Sequence, residues 1–456
     1  MDGSDVGGMG SSGPADRLAL SAATSRVTSQ APVRYAAAVL LTGVTAGLAG
    51  MSLGLLLHAV QHLAYGYSLG QVISRESFLA GVEAAGPVRR VLVLAACGLV
   101  AGLGWWLVYR LGPPLVSIRT AVANPRISMP GSSTITHALL QIVTVALGSP
   151  LGREVAPREI GTLFAGWIAR WLGLSDERAR ILLACGAGAG LAAVYNVPLG
   201  GALFAMEALL GTFTPTVAVP ALASSVTAAY VAWIGLGDQT QYVLPHLGMS
   251  ISLTAWSALA GPVLGCGGWL YAKLAQKARS RAPRDRRIIP WCFCVFTGIG
   301  LAAVAYPELL GNGRGPIQLG LDGEIGARLA LILLVLKLAS TTASLRAGAG
   351  GGLLTPGLTI GALVGIALGQ AWITFFPTAV AMGAFALVGA AAFLAVSMQM
   401  PVTAIVLVFE FTRADHDFLV PVLLAVSGAS AASYLCDLQF SRLQAAPKSA
   451  EVPVLE

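Results

Sequence analysis

The sequence predicts an all-α protein that crosses a membrane many times, and three observations carry this prediction. Charged residues make up only 11% of its 456 residues, against about 25% in a soluble domain. Hydrophobic residues make up 56%, and the mean hydropathy is +0.76. The length accommodates about a dozen or more membrane segments at about 20 residues each. A soluble globular protein is therefore excluded, and a multi-pass protein of the cell membrane is expected.

Apolar runs bounded by Gly, Pro and charged residues predict where the membrane segments lie. In chain order they are 35–60, 89–111, 134–149, 157–172, 179–192, 197–211, 216–236, 252–274, 288–306, 325–345, 355–376, 380–395, 400–412 and 418–436. Two of them, 134–149 and 197–211, are too short for a perpendicular crossing. Irregular backbone survives at membrane depth only where protein or water covers it, so short, broken helices are predicted there.

The two ends of the chain differ from the rest. Residues 1–32 are rich in Gly, Ser and Ala and lack the apolar run of a signal peptide, which predicts a flexible N-terminal tail. The transmembrane domain is expected over 33–440. Residues 441–456 are interpreted as a short C-terminal tail that leaves no room for a regulatory domain.

The net charge of +7 is attributed to loops between the apolar runs, and no nucleic-acid partner is expected. The positive-inside rule places the most basic stretch, residues 273–287, in the cytoplasm. The six cysteines show no metal-ligand spacing and are interpreted as buried apolar fillers. His58 and His62 are four residues apart but lack a third ligand, so neither a metal nor a cofactor is expected.

An internal repeat divides the chain into two halves, about 33–236 and about 250–440. The sequence PLGGALFAME at 198–207 has the same pattern as PVTAIVLVFE at 401–410: Pro, eight mostly apolar residues, then Glu. Upstream of each, a Gly-rich turn leads through a proline into a helix. Transporters built from such halves bind their substrate where the repeats meet. Because both halves carry it, the terminal glutamate favours a helix-end or hydrogen-bonding role over a proton role.

The Gly-rich turns before Pro157 and Pro356 have the chemistry of anion sites. A helix N-terminus leaves N–H groups unpaired and carries partial positive charge, and Gly lets an ion approach the backbone closely. Glu154 lies in the first of these turns, where an ionised carboxylate would itself occupy the anion position and a protonated one would leave it. The alternative is that Glu154 caps its helix or pairs with Arg153 or Arg158.

These motifs resemble those of the CLC family of chloride channels and chloride/proton antiporters. The stretch at 151–161, LGREVAPREIG, is similar to the GREGP signature of the family, and the stretch at 186–210, GAGAGLAAVYNVPLGGALFAMEALL, is similar to the family segment that follows that signature. The stretch at 348–365, GAGGGLLTPGLTIGALVG, is similar to the GxFxP region of the family. The stretch at 400–412, MPVTAIVLVFEFT, is similar to the family segment that follows the GxFxP region. The resemblance covers residues 35–442. It implies an inverted repeat of two halves with many tilted and broken helices, assembled as a homodimer with one anion pathway per subunit.

The resemblance also assigns residues to an anion site. Glu154 is expected to be the gating glutamate. The anion would be held by backbone N–H groups of the turn around Arg153 and Val155 in the first half and of Leu353, Leu354 and Thr355 in the second.

Several positions depart from the family pattern. Without gaps, the GSGIP signature falls on 112–116, so that Pro113 replaces a serine hydroxyl; an alternative placement is 131–133. The central tyrosine falls on Phe440 with one gap, which would remove a second hydroxyl. Losing both would favour larger or more weakly hydrated anions. Ala208 stands where antiporters carry an inner glutamate, which argues against the usual proton path.

The function expected from these residues is chloride transport through a passive, glutamate-gated channel or an uncoupled transporter. One alternative is a chloride/proton antiporter with a non-standard proton path through Glu159 or Glu207. Another is a transporter for a different monovalent anion, such as nitrate or fluoride. Ser133 and His137 have the spacing of a nucleophile and base on one helix, but no GxSxG surrounds the serine, so an enzyme is not expected.

Overall fold

The computed structural model describes residues 14–67, 77–377 and 379–445, and within these ranges the chain is helical with short connections. The helices of the first half are α1 (Pro14–Tyr65), α2 (Phe78–Ala84), α3 (Pro87–Leu111), α4 (Ile118–Ala123), α5 (Gly131–Ala146), α6 (Val155–Trp171), α7 (Asp176–Tyr195), α8 (Pro198–Leu203), which continues as a π-helical segment (Phe204–Leu210), and α9 (Pro215–Leu236). Those of the second half are α10 (Ile251–Ser280), α11 (Ile288–Ala305), α12 (Arg314–Leu321), α13 (Ala327–Ala347), α14 (Leu354–Phe375), α15 (Met382–Ser397), α16 (Pro401–Thr412) and α17 (Leu419–Ala445).

The predicted all-α membrane architecture is confirmed. Within the described ranges, nine helices are long and apolar enough to cross a membrane. Shorter apolar helices lie between them, including Pro198–Leu210 and Pro401–Thr412, and each predicted segment falls on a helix. The small helices α2, α4 and α12 were not predicted because six to eight residues are too few to show a clear helical pattern.

Helical structure extends into both regions predicted as tails. Helix α1 begins at Pro14 and so includes residues 14–32 of the predicted N-terminal tail. The physical reason is local propensity, since proline suits the first helical position and the following stretch is rich in Ala and Leu. At the other end, α17 continues to Ala445.

Equivalent helix pairs in the two halves cross through glycines. A Cβ added to Gly161 of α6 would collide with the carbonyl of Gly186 on α7. In the second half, a Cβ on Gly361 of α14 would lie 2.6 Å from the carbonyl of Gly389 on α15. Small residues allow helix backbones to approach closely in a membrane, so this repeated contact brings the start of α6 and the start of α14 into corresponding positions.

Two glutamates tie the halves together by reciprocal helix capping. The Glu207 carboxylate accepts hydrogen bonds from the N–H groups of Val402 (3.0 Å) and Thr403 (2.7 Å) at the start of α16. In return, the Glu410 carboxylate accepts them from Leu199 (2.9 Å) and Gly200 (2.6 Å) at the start of α8. The structure therefore shows the hydrogen-bonding role that the repeat favoured for these residues.

The interpretation of all six cysteines as buried fillers is wrong for three of them. Cys97, Cys185 and Cys292 are buried, whereas Cys266 and Cys294 are exposed and Cys436 is half-buried. Spanning helices present apolar side chains outward as well as inward, so an apolar segment does not by itself predict burial.

Candidate anion-binding site

The site is formed where α6 and α14 begin beside each other. Gly152 and Gly352 precede these helices and form an isolated antiparallel bridge. The N–H of Gly152 donates to the carbonyl of Gly352 (2.8 Å), and the N–H of Gly352 donates to the carbonyl of Gly152 (2.9 Å). The bridge brings the two Gly-rich turns together, as the sequence predicted, and directs two helix N-termini toward one region.

Glu154 occupies this region with a fully buried side chain. Its Oε1 accepts a hydrogen bond from the backbone N–H of Leu354, the first residue of α14, at 2.8 Å. A Cβ added to Gly152 or to Gly352 would collide with the carboxylate oxygens. The absence of a side chain at both glycines is thus what makes room for an anionic group here.

A hydroxyl pair that the sequence analysis missed completes the site. Tyr195, the last residue of α7, donates its hydroxyl to Glu154 Oε2 at 3.2 Å and lies 2.9 Å from the hydroxyl of Thr355. Tyr271 of α10 is also buried, and its hydroxyl has no hydrogen-bond partner among the described residues. The site thus contains the hydroxyls of Tyr195 and Thr355, at positions other than the two that the sequence analysis considered.

The neighbouring arginines do not pair with the Glu154 carboxylate. Arg153 donates to Gln241 Oε1 at 3.1 Å and lies over the ring of Tyr195. Arg158 donates to the backbone carbonyl of Glu154 at 2.9 Å and lies over the ring of Phe204. The alternative in which an arginine holds the carboxylate is therefore not observed within the described ranges, and backbone and hydroxyl groups provide the direct contacts.

The other residues assigned to the anion site lie close to it, with two exceptions. Val155 begins α6 and Leu353 precedes α14. Pro113, however, is exposed, and its carbonyl accepts a hydrogen bond from the Ser133 hydroxyl at 2.8 Å. The two alternative placements of the GSGIP signature, 112–116 and 131–133, are thus joined by a hydrogen bond.

Phe440 is the second exception. Its side chain is 40% exposed on α17, with its ring against Trp269 and the ammonium group of Lys273. The structure therefore gives Phe440 a surface environment and does not place it with the buried Glu154. Phe440 belongs to α17, which continues to Ala445.

The remaining candidates have other partners. Glu159 pairs with His137, whose Nδ1 lies 2.9 Å from the carboxylate. Because Ser133 is bonded to Pro113 and His137 to Glu159, the two do not form a nucleophile and base pair. In the part of the chain that the structure describes, no three His, Cys, Asp or Glu side chains are grouped as metal ligands.

Comparison with known proteins agrees with this geometry. Residues 97–434 match the family model described as voltage gated chloride channel. The chain belongs to the CLC family. It is thus a multi-pass membrane protein of a family that transports anions, as the motifs indicated.

Relatives with both kinds of CLC name are similar to this chain. A putative chloride channel protein ClcB-like from Ralstonia nicotianae is 30% identical over 352 residues, covering 74% of this chain and 80% of the relative. An H(+)/Cl(-) exchange transporter ClcA from Vibrio cholerae is 29% identical over 413 residues, covering 86% and 84%. The fold matches a slow cyanobacterial Cl-/H+ antiporter with a TM-score of 0.75 at 19% identity, over 91% of this chain and 99% of that structure.

Proposed function

We propose that this protein conducts chloride passively through a pathway that Glu154 gates. The observation that carries the proposal is the hydrogen bond from the Leu354 N–H to the Glu154 carboxylate at the start of α14. An ionised carboxylate is itself a small anion, and helix N-termini attract anions through unpaired N–H groups and the helix dipole. Glu154 therefore occupies the position that a chloride ion would take.

Gating follows from competition for this position. While the carboxylate is bound, the pathway is closed by a group of the same charge as the transported ion. Protonation of Glu154, or displacement by chloride, frees the N–H of Leu354 and the hydroxyl of Tyr195. Because Arg153 and Arg158 are engaged elsewhere, the ion meets partial charges and is not trapped by a full one, as conduction requires.

The environment of Glu207 supports transport without proton coupling. Its carboxylate already accepts from Val402 and Thr403, and the Thr403 hydroxyl adds a third hydrogen bond at 2.6 Å. All three donors belong to the start of α16, so this carboxylate is committed to capping that helix. Ala208, which follows it, has no titratable group. Both named activities occur among the relatives, so this distinction rests on the residues of this chain.

We also propose that the protein assembles as a homodimer with one pathway in each subunit. The short helices α8 and α16 cap each other through Glu207 and Glu410 and expose the apolar side chains of Leu199 (45%) and Val402 (43%). These side chains form part of an outward apolar surface shared by both halves, which a second subunit would cover.

Flux measurements in proteoliposomes test the gating proposal. Liposomes loaded with chloride should lose it passively down its gradient, without proton movement in the opposite direction. Glu154→Gln should increase the rate at neutral pH and reduce its pH dependence, because an amide cannot ionise. Asp176→Asn, which changes an exposed surface pair with Arg126, is the matched control and should behave as wild type. Proton uptake driven by the chloride gradient would contradict uncoupled transport.

A further inference from the structure

A second group of titratable side chains lies one helical turn beyond Glu154. His137 and Gln141 of α5 face Glu159 of α6. His137 Nδ1 lies 2.9 Å from Glu159 Oε2, and Gln141 Nε2 lies 2.9 Å from the same imidazole nitrogen and 3.0 Å from the same carboxylate oxygen. The side chains of His137 and Glu159 are 13% and 14% exposed, so the group is largely enclosed by protein.

The hydrogen bonds of this cluster cannot all form at one time. His137 Nδ1 either carries a proton and donates to the carboxylate, or is unprotonated and accepts from the Gln141 amide. The Gln141 Oε1, fully buried, has no partner among the described residues. A rotated Gln141 amide would direct Oε1 toward a protonated Glu159 and accept its O–H. The cluster therefore has two bonding patterns that differ by the location and number of its protons.

We propose that His137, Glu159 and Gln141 form an internal proton-binding site that strengthens anion binding at the nearby Gly-rich turn when it is protonated. The site is distinct from Glu154 and from Glu207, because it lies between α5 and α6. This proposal rests on the proposed function in one respect, since its effect is measured as a change in chloride binding. Binding of a proton here makes the cluster one unit more positive without moving Glu154.

The link to the anion site is a direct contact with the loop before α14. A Cβ added to Gly350 would lie 3.1 Å from His137 Nε2 and 2.9 Å from the ring of Trp105, so the imidazole reaches the backbone two residues before Gly352. The proton added to the cluster raises the electrostatic potential of the Gly350–Leu354 turn, whichever of the two side chains carries it. Anions at the start of α14 are stabilised as a result.

Other charged and titratable groups surround the cluster. Arg158 on α6, Arg279 on α10 and Tyr109 on α3 interact electrostatically with Glu159, as does His137 from α5. Arg279 is exposed and donates to the carbonyl of Gly351 at 3.0 Å.

Chloride affinity in a background without the Glu154 carboxylate tests the site. In Glu154→Gln, the dissociation constant for chloride should fall by about fivefold or more between about pH 8 and about pH 5, a change typical of coupled sites over the range in which histidine titrates. Adding Glu159→Gln or His137→Gln should remove this dependence. Adding Asp176→Asn should leave it intact. A flat affinity in Glu154→Gln, or an unchanged slope in both cluster variants, overturns the proposal.

Infrared difference spectroscopy provides a measurement that does not depend on chloride. Between the same two pH values, Glu154→Gln protein should show a carboxylic-acid band and a histidine ring change. Glu159→Gln should remove the former, and His137→Gln the latter. If no variant bound chloride but the two bands were still observed in Glu154→Gln, the proposed function would be contradicted and the proton-binding site would still be supported. Bands that are absent in Glu154→Gln, or that persist in both cluster variants, overturn the site itself.

Discussion

Replacing Glu154 by alanine should make this protein bind chloride about thirtyfold more tightly. The carboxylate is held by the Leu354 N–H and the Tyr195 hydroxyl, and hydrogen bonds to a charged group contribute about 2 kcal/mol each. Ordering a glutamate side chain costs about 2 kcal/mol. The net advantage of the bound carboxylate is thus about 2 kcal/mol. Chloride must displace the carboxylate in the wild-type protein, so removing the carboxylate makes the free energy of chloride binding more favourable by this amount. Each 1.4 kcal/mol changes the dissociation constant about tenfold.

Isothermal titration calorimetry of detergent-solubilised protein measures this change directly. The protein is exchanged into a buffer with a large organic anion and titrated with chloride, for wild type, Glu154→Ala and the surface control Asp176→Asn. Glu154→Gln should lie between wild type and Glu154→Ala, because the amide keeps an acceptor oxygen but lacks charge. Equal chloride affinity in wild type and Glu154→Ala would show that the carboxylate and the ion do not share a position.

Four other substitutions test separate parts of the structure. Gly352→Ala should displace the Glu154 carboxylate, with which the new Cβ collides, and increase chloride efflux; a wild-type rate would show that the side chain relaxes within its site. Glu207→Ala should destabilise the protein by about 2 kcal/mol, because the charge-assisted hydrogen bonds that cap α16 are lost. The loss should lower the midpoint of thermal unfolding measured by helical circular dichroism. Glu410→Ala should lower this midpoint to a similar degree. Pro113→Ser should leave the nitrate-to-chloride flux ratio unchanged, because Pro113 is exposed and its backbone carbonyl is bonded to Ser133; a lowered ratio would show that a hydroxyl at this position reaches the ion.

Local signals in the sequence were sufficient for the helices and for Glu154. An apolar run of about 20 residues has few structural alternatives in a membrane, which is why the predicted segments fall on helices. Glu154 was recognisable because an ionisable residue in a Gly-rich turn before a helix is unusual at membrane depth. Both inferences depend on residues that are adjacent in the chain.

Contacts between distant elements were not accessible in the same way. Tyr195 joins Glu154 only because α7 folds back along α6, and a tyrosine at a helix end gives no sign of this in the sequence. The pairing of His137 with Glu159 likewise depends on how α5 packs against α6. The assignment of Phe440 rested on a correspondence with one gap, and the sequence does not show that its ring packs against Trp269.

The number of backbone N–H donors at each carboxylate separates Glu154 from the two structural caps. Glu207, Glu410 and Glu154 each place a carboxylate at the start of a helix from the other half of the chain. Glu207 accepts three hydrogen bonds and Glu410 accepts two from backbone N–H groups, the shorter at 2.6 Å.

Glu154, in contrast, accepts one backbone N–H, with a longer bond of 3.2 Å from a tyrosine hydroxyl. Because each additional charge-assisted hydrogen bond contributes about 1.5 to 3 kcal/mol, Glu207 is held more firmly than Glu154 by at least about one such bond. A carboxylate bound to a helix N-terminus thus joins the two halves at α8 and at α16, where each carboxylate accepts two backbone hydrogen bonds. At α14 the pairing has a single backbone donor and is weaker, as the proposed replacement by a chloride ion requires.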